Sequence, residues 1–167
     1  MAIKLLLVCL GNICRSPTAH AVMRQKAGHS GLQIEIESAG TSASHRGAPP
    51  DSRSVREGAA AGYDFGGIVS RPVSDSDFAY YDLILAMDKD NLAELKRRCP
   101  AALQHKLQLF MQYHPSYPTY SEVPDPYYGG SKGFELVLKL IEQSCQHLLR
   151  QLAQQQDALL DSREESV

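Results

Sequence analysis

The strongest constraint on the fold is the run Ile3–Val8, where Ile3, Leu5, Leu6, Leu7 and Val8 are apolar and Lys4 alone interrupts them. A strand that is apolar at successive positions is covered on both faces, as in a parallel sheet with helices above and below. The stretch CLGNICRSP (9–17) follows at once, and the pattern from Pro17 to about Lys26 reads as a helix ended by Gly28. This β–loop–α unit is followed by further alternation. Leu32, Ile34 and Ile36 alternate with polar residues as a second strand, and 40–50 is a Ser/Gly/Pro-rich surface loop. Helices are predicted over Asp51–Ala61, ended by Gly62, and over Asp88–Arg98, stopped before Pro100, with a buried strand at Tyr81–Met87 between them. Lys106–Met111 reads as a fourth strand, Tyr113–Gly130 as a Pro/Tyr-rich loop, and Phe134–Leu152 as a long helix bearing Leu136, Leu140 and Ile141. The expected fold is α/β: a single-domain, open, mostly parallel four-stranded sheet with helices on both faces, spanning 1–153, with a frayed, flexible tail at 154–167. In that architecture ligands bind at the carboxyl ends of strands, and CLGNICRSP lies at such an end.

At 167 residues and 43% apolar side chains the chain can bury one sizeable core. A formal net charge of −2 and no basic cluster longer than Lys96–Arg98 argue against nucleic acid as a partner. The apolar N-terminal stretch is too short for a signal or a membrane span, so a cytoplasmic protein without membrane contact is expected. Four cysteines, Cys9, Cys14, Cys99 and Cys145, show neither a disulfide framework nor zinc-ligand spacing; reduced thiols, no metal and no cofactor are expected.

The loop itself carries chemistry. Gly11 and Asn12 are the residue types that best tolerate positive φ, so the segment between Cys9 and Arg15 can curl tightly. Ser16 is a suitable N-cap and Pro17 a suitable first helical residue, which closes the loop onto a helix N-terminus that favours an anion. Inward N–H groups of Leu10, Gly11, Asn12, Ile13 and Cys14 would form a nest for phosphoryl oxygens, with Arg15 offering a bidentate fork and the Cys9 thiolate facing phosphorus. A phosphate-binding turn without chemistry is the simpler alternative. A nucleotide P-loop is disfavoured, because G-x-x-x-x-G-K-[ST] is absent. A departing alkoxide or phenoxide needs a proton donor, and a placed acid contributes about 10²–10⁴ in rate. Asp125 in VPDPYYGG is the candidate, its flanks stiffened by Pro124 and Pro126 and shielded by Tyr127 and Tyr128. On spacing alone an ordinary Asp-Pro turn is the stronger reading of it.

From LLLVCLGNICRSP through SAGTS, PPD, DFAYYDLILAMDKDNL and VPDPYYGG to GFELV, over about residues 3–152, the chain resembles the low-molecular-weight protein tyrosine phosphatases. The resemblance implies their Rossmann-like fold and metal-free double displacement. Cys9 is then the nucleophile that forms a phosphocysteine, Arg15 the phosphate clamp, Ser16 the hydroxyl bonded to the departing thiolate, and Asn12 the residue that holds the loop's shape. Asp125 is the general acid and then the general base. Asp88 corresponds to the carboxylate that orients the arginine, although it also reads as a helix N-terminal charge. Tyr127 and Tyr128 correspond to pocket walls that are phosphorylated in some relatives.

Two positions depart from the family. In GGIVSRPV, Ile68 stands where many relatives have a histidine that braces the loop asparagine, leaving Asn12 without that brace. On the rim, Ser44 and His45 stand where many relatives carry an aromatic, so either substrate affinity is lowered or His45 stacks in its place. The remaining histidines (His20, His29, His105, His114, His147) show no site spacing. Ile13, where related arginine phosphatases carry threonine, favours a phenyl ring over a guanidinium and hence phosphotyrosine over phosphoarginine. Cys14 is either a small apolar residue or, as in the family, a partner that protects oxidised Cys9 as a disulfide; Cys99 and Cys145 read as packing residues. The implied partners are phosphotyrosine-bearing proteins and a tyrosine kinase acting on them, with the chain a monomer or weak dimer. A non-catalytic phosphate-recognition module is the rival reading.

Overall fold

The computed structural model describes residues 2–127 and 129–165. Four strands, β1 (Ile3–Cys9), β2 (Ile34–Gly40), β3 (Leu83–Ala86) and β4 (Leu107–Leu109), form one sheet in the order β2-β1-β3-β4 with every pairing parallel. Five α-helices accompany them: α1 (Arg15–Ser30), α2 (Ser52–Ala60), α3 (Asp75–Tyr80), α4 (Lys89–Arg98) and α5 (Ser131–Glu165). The continuous apolar run of β1 has a direct cause. Leu5, Leu7 and Cys9 point into one core cluster, shared with Val22 and Met23 of α1 and Ile141 and Leu148 of α5. Leu6 and Val8 point into a second, with Phe78 of α3 and Leu95 of α4. Successive side chains of a strand face opposite ways, so a strand between two helical layers must be apolar throughout.

The registers Cys9↔Gly40, Val8↔Ala86 and Ala86↔Leu109 bring all four carboxyl ends to one edge. The chain leaves β1 for β2 on one side and returns to β3 on the other, so the end of β1 is the point where the winding reverses and a crevice opens.

Several boundaries differ from expectation. Helix α1 runs through Gly28 and stops at Gly31, which takes φ 73°. Strand β4 is curtailed because Phe110–Tyr113 turns into a 3-10 helix. Helix α3 was not anticipated, although its start bears a capping pattern: the Ser74 N–H donates to the Asp77 carboxylate at 2.8 Å. Beyond Leu152, where a frayed tail was expected, α5 continues as helix to Glu165. There Gln156 accepts from the Gln33 N–H and donates to the Gln33 carbonyl, joining the extension to the start of β2. Among the described residues, no helix is long and apolar enough to cross a membrane.

Candidate active site

The loop from Cys9 to Ser16 is shaped by where its carbonyls go. Those of Cys9 and Leu10 accept from the N–H groups of Thr41 and Ser42, both at 2.9 Å, and that of Ile13 accepts from the Asp51 N–H at 2.8 Å. The Gly11 carbonyl accepts from the Ser70 hydroxyl at 2.9 Å. With four carbonyls turned outward, the peptide dipoles of the loop point their N–H ends toward its centre, the arrangement that holds an anion. Gly40 permits the close approach, since a Cβ there would lie 2.7 Å from the Leu10 carbonyl oxygen. Asn12 takes the left-handed turn at φ 54°.

Cys9 sits at the bottom, 2% exposed. Its sulfur accepts from the Asn12 N–H at 3.3 Å and lies 3.0 Å from the Ser16 Oγ. Ser16 Oγ also accepts from Asn12 Nδ2 at 2.8 Å, and its own proton can go to the sulfur or, at 3.5 Å, to the Ala39 carbonyl. This corrects the expectation that Ser16 caps the helix. The cap position falls to Cys14, no side chain caps the first turn, and Pro17 lies two residues inside the helix, still within the turn where its missing N–H costs nothing. Committed to Cys9 and Asn12, the serine hydroxyl is unavailable to the helix.

Arg15 is also buried, and three groups outside the loop surround its guanidinium. Nη1 donates to Asp88 Oδ2 at 2.6 Å and to the Val123 carbonyl at 3.1 Å, and Nη2 lies 3.5 Å from Asp125 Oδ2. Burial opposes the charge, but Cys9, Asp88 and Asp125 outweigh it and raise the pKa of Arg15 above its ordinary value. Asp88 makes two contacts at once: while one oxygen accepts from Arg15, the other caps α4 by accepting from the Asn91 N–H at 2.7 Å. Asp125 stands at the mouth, 40% exposed, with Oδ1 accepting from the Tyr127 N–H at 3.1 Å.

A cleft of about 200 Å³ opens above Cys9, and Leu10, Gly11, Ile13, Cys14, Arg15, Ser44, His45, Asp125 and Tyr127 all line it. His45 lies over Gly11, its ring centroid 6.2 Å from that of Tyr127 and its plane tilted 52° to it, and both rings border the cleft. Tyr128 lies outside the described residues. A larger hollow of about 390 Å³, at the amino ends of β1 and β3, is lined by glutamines and the end of α5 and contains no cysteine.

The expected gap in the bracing of Asn12 is filled by other groups. Its side chain accepts from the Arg71 N–H at 3.0 Å and donates to Ser16, while Ile68 is buried in the core with Tyr63 and Phe65. The brace of Asn12 thus comes from the backbone N–H of Arg71, three residues after Ile68. Sequence reasoning also missed Ser70, the Val123 carbonyl and Arg53. Of these only Arg53 had a signal, two residues after the PPD motif. Arg53 hydrogen-bonds the Asp51 carboxyl and holds it below the usual carboxylate range. Cys14, which borders the cleft, is itself buried; desolvation, then the charge of Asp51, pushes its thiol up to about 12. Cys99 and Cys145 are buried among apolar side chains, as packing residues would be.

Residues 4–158 match the family model described as low molecular weight phosphotyrosine protein phosphatase. The chain is 41% identical over 156 residues to the low molecular weight phosphotyrosine protein phosphatase of Schizosaccharomyces pombe, covering 90% of this chain and 97% of that one. To the human protein of the same description it is 36% identical over 154 residues, covering 87% and 93%. A crystal structure of a protein tyrosine phosphatase from Entamoeba histolytica, with Hepes in the active site, superposes with a TM-score of 0.88 at 43% identity, covering 93% of this chain and 99% of that one.

Proposed function

The chain belongs to the low molecular weight phosphotyrosine protein phosphatase family, and on that premise we propose that it hydrolyses phosphotyrosine in proteins, and small aryl phosphates, through a cysteinyl-phosphate. One observation carries this reading: the Cys9 sulfur lies at the base of a loop whose carbonyls are turned outward, with the Arg15 fork fixed at its edge by Asp88. A phosphoryl dianion in the nest would place phosphorus against the sulfur. The inward N–H groups and Arg15 would stabilise the charge on its equatorial oxygens without a metal ion. Phosphate that engages Arg15 frees the Asp125 carboxyl to face the bridging oxygen.

In the first step the Cys9 thiolate attacks phosphorus, the S–P bond forms and the P–O(aryl) bond breaks. Asp125 gives its proton to the leaving phenoxide. In the second step Asp125 takes a proton from water, the resulting hydroxide attacks phosphorus, and the S–P bond breaks to release inorganic phosphate. The Ser16 hydroxyl donates to the sulfur as it regains its charge. The walls of His45, Tyr127 and the apolar Ile13 suit a flat phenyl ring, so tyrosine rather than arginine is the favoured phospho-residue.

The test is hydrolysis of para-nitrophenyl phosphate from pH 4 to 8 without metal, with Cys9→Ser and Asp125→Ala alongside. Turnover is expected for the parent protein, none for Cys9→Ser, and strongly reduced turnover with a lost alkaline limb for Asp125→Ala. Phosphate binding without turnover by the parent protein would mean that the loop only recognises phosphate.

A further inference from the structure

We infer that Arg53 is a positioning residue for the general acid, its guanidinium tying the loop that carries Asp125 to the loop that carries Cys9. The inference rests on the acid role proposed above for Asp125. Arg53 lies in the first turn of α2, whose N-cap is Asp51. Its guanidinium grips that cap edge-on, Nε to Oδ1 at 3.1 Å and Nη2 to Oδ2 at 3.0 Å, and its own N–H donates to Oδ1 at 2.9 Å. Asp51 is fastened in turn to the nucleophile loop, its N–H donating to the Ile13 carbonyl at 2.8 Å. The position of Arg53 is therefore set from the Cys9 side of the cleft.

A guanidinium held by its edge leaves its two faces free, and both ring contacts of Arg53 are to residues that follow Asp125 in the chain. Its Cζ is 4.6 Å from the ring centroid of Phe134, buried near the start of α5, and 5.4 Å from that of Tyr127. Both are within the range of a cation–π contact. Tyr127 is two residues from Asp125 and donates its N–H to the Asp125 carboxylate at 3.1 Å. Pro126, between them, packs against Gly133, where an added Cβ would lie 3.6 Å from the proline Cβ. The connection runs without a break from Ile13 through Asp51, Arg53 and Tyr127 to Asp125. Only an arginine can make the edge fork and the ring contacts together, because lysine offers a point charge with neither fork nor plane.

The experiment compares kcat/KM, which reports cleavage of the first P–O bond, for phenyl phosphate and dinitrophenyl phosphate. The first leaving group needs a proton and the second does not. The proteins are the parent, Arg53→Met, Arg53→Lys and Asp125→Ala, each checked for an unchanged melting temperature. A positioning role predicts that Arg53→Met and Arg53→Lys lose about tenfold on phenyl phosphate and under twofold on dinitrophenyl phosphate, sharing the selectivity of Asp125→Ala. Equal losses on both substrates, or none on either, for the Arg53 variants beside a selective Asp125→Ala would overturn the inference and leave the acid role standing. An unselective Asp125→Ala would overturn the acid role and the inference with it.

Discussion

Arg15 and Asp88 lie 73 positions apart and meet through a 2.6 Å ion pair in which the guanidinium is 3% exposed and the carboxylate 20%. The pair joins the start of α1 to the N-cap of α4, the helices that follow β1 and β3, two strands that run side by side in the sheet. Asp88 thereby holds one nitrogen of the Arg15 fork, Nη1.

Asp88→Asn separates the two jobs of that carboxylate. Asparagine caps helices about as well as aspartate, so α4 keeps its cap. The charge-assisted bond to Arg15 weakens, and kcat/KM for para-nitrophenyl phosphate is expected to fall about tenfold with little change in melting temperature. Steady-state kinetics beside a thermal melt checks it, and an unchanged kcat/KM would show that Arg15 is held well enough without the pair.

Ser16→Ala removes the hydroxyl 3.0 Å from the Cys9 sulfur and the acceptor of the Asn12 side chain. The thiolate becomes a poorer leaving group, so the second step slows more than the first. A stopped-flow trace is expected to show a larger burst of nitrophenol followed by turnover reduced about tenfold. A burst no larger than that of the parent protein would place the effect elsewhere.

His20 offers a pH test of stability. Its Nδ1 lies 2.9 Å from the Ser38 Oγ, and burial, with a smaller contribution from Arg24, lowers its pKa from 6.5 to about 4. The unfolded chain therefore binds a proton that the folded chain refuses between those values, and stability falls as the pH drops from 6.5 to 4, by about 3 kcal/mol at most. Denaturant melts across that window should show the loss in the parent protein and a shallower dependence in His20→Asn. Parallel pH profiles would rule the histidine out as the cause.

Cys14, resembling the family's protective cysteine, provides a redox test. Peroxide would convert the Cys9 thiolate to a sulfenic acid, and attack by the Cys14 sulfur would form the S–S bond and release water. Because the Cys14 thiol is pushed up to about 12, that attack is expected to accelerate as the pH rises. Dithiothreitol should restore the oxidised parent protein but not Cys14→Ser; equal recovery of both would exclude the protection.

What could be read along the chain was whatever is local in sequence. The run Ile3–Val8, the turn chemistry of Gly11 and Asn12, and the spacing of Cys9, Arg15 and Ser16 all lie within fourteen positions, close enough for residue type and period to decide the strand, loop and helix. The motif around Asp125 offered an acid that spacing alone left weaker than an ordinary turn, and the role of Asp88 came from family resemblance. The tertiary structure alone decided how these meet. Parallel pairing of β1 with β3 puts Asp88 on Arg15, and the Val123 carbonyl and Asp125 arrive from 108 and 110 positions away. It also decided that the Arg71 N–H and the Ser70 hydroxyl support the loop, and that the helix starts without a cap from Ser16. A backbone N–H or carbonyl is present at every residue and leaves no mark on the sequence, so which of them turns toward the loop follows only from the packed sheet.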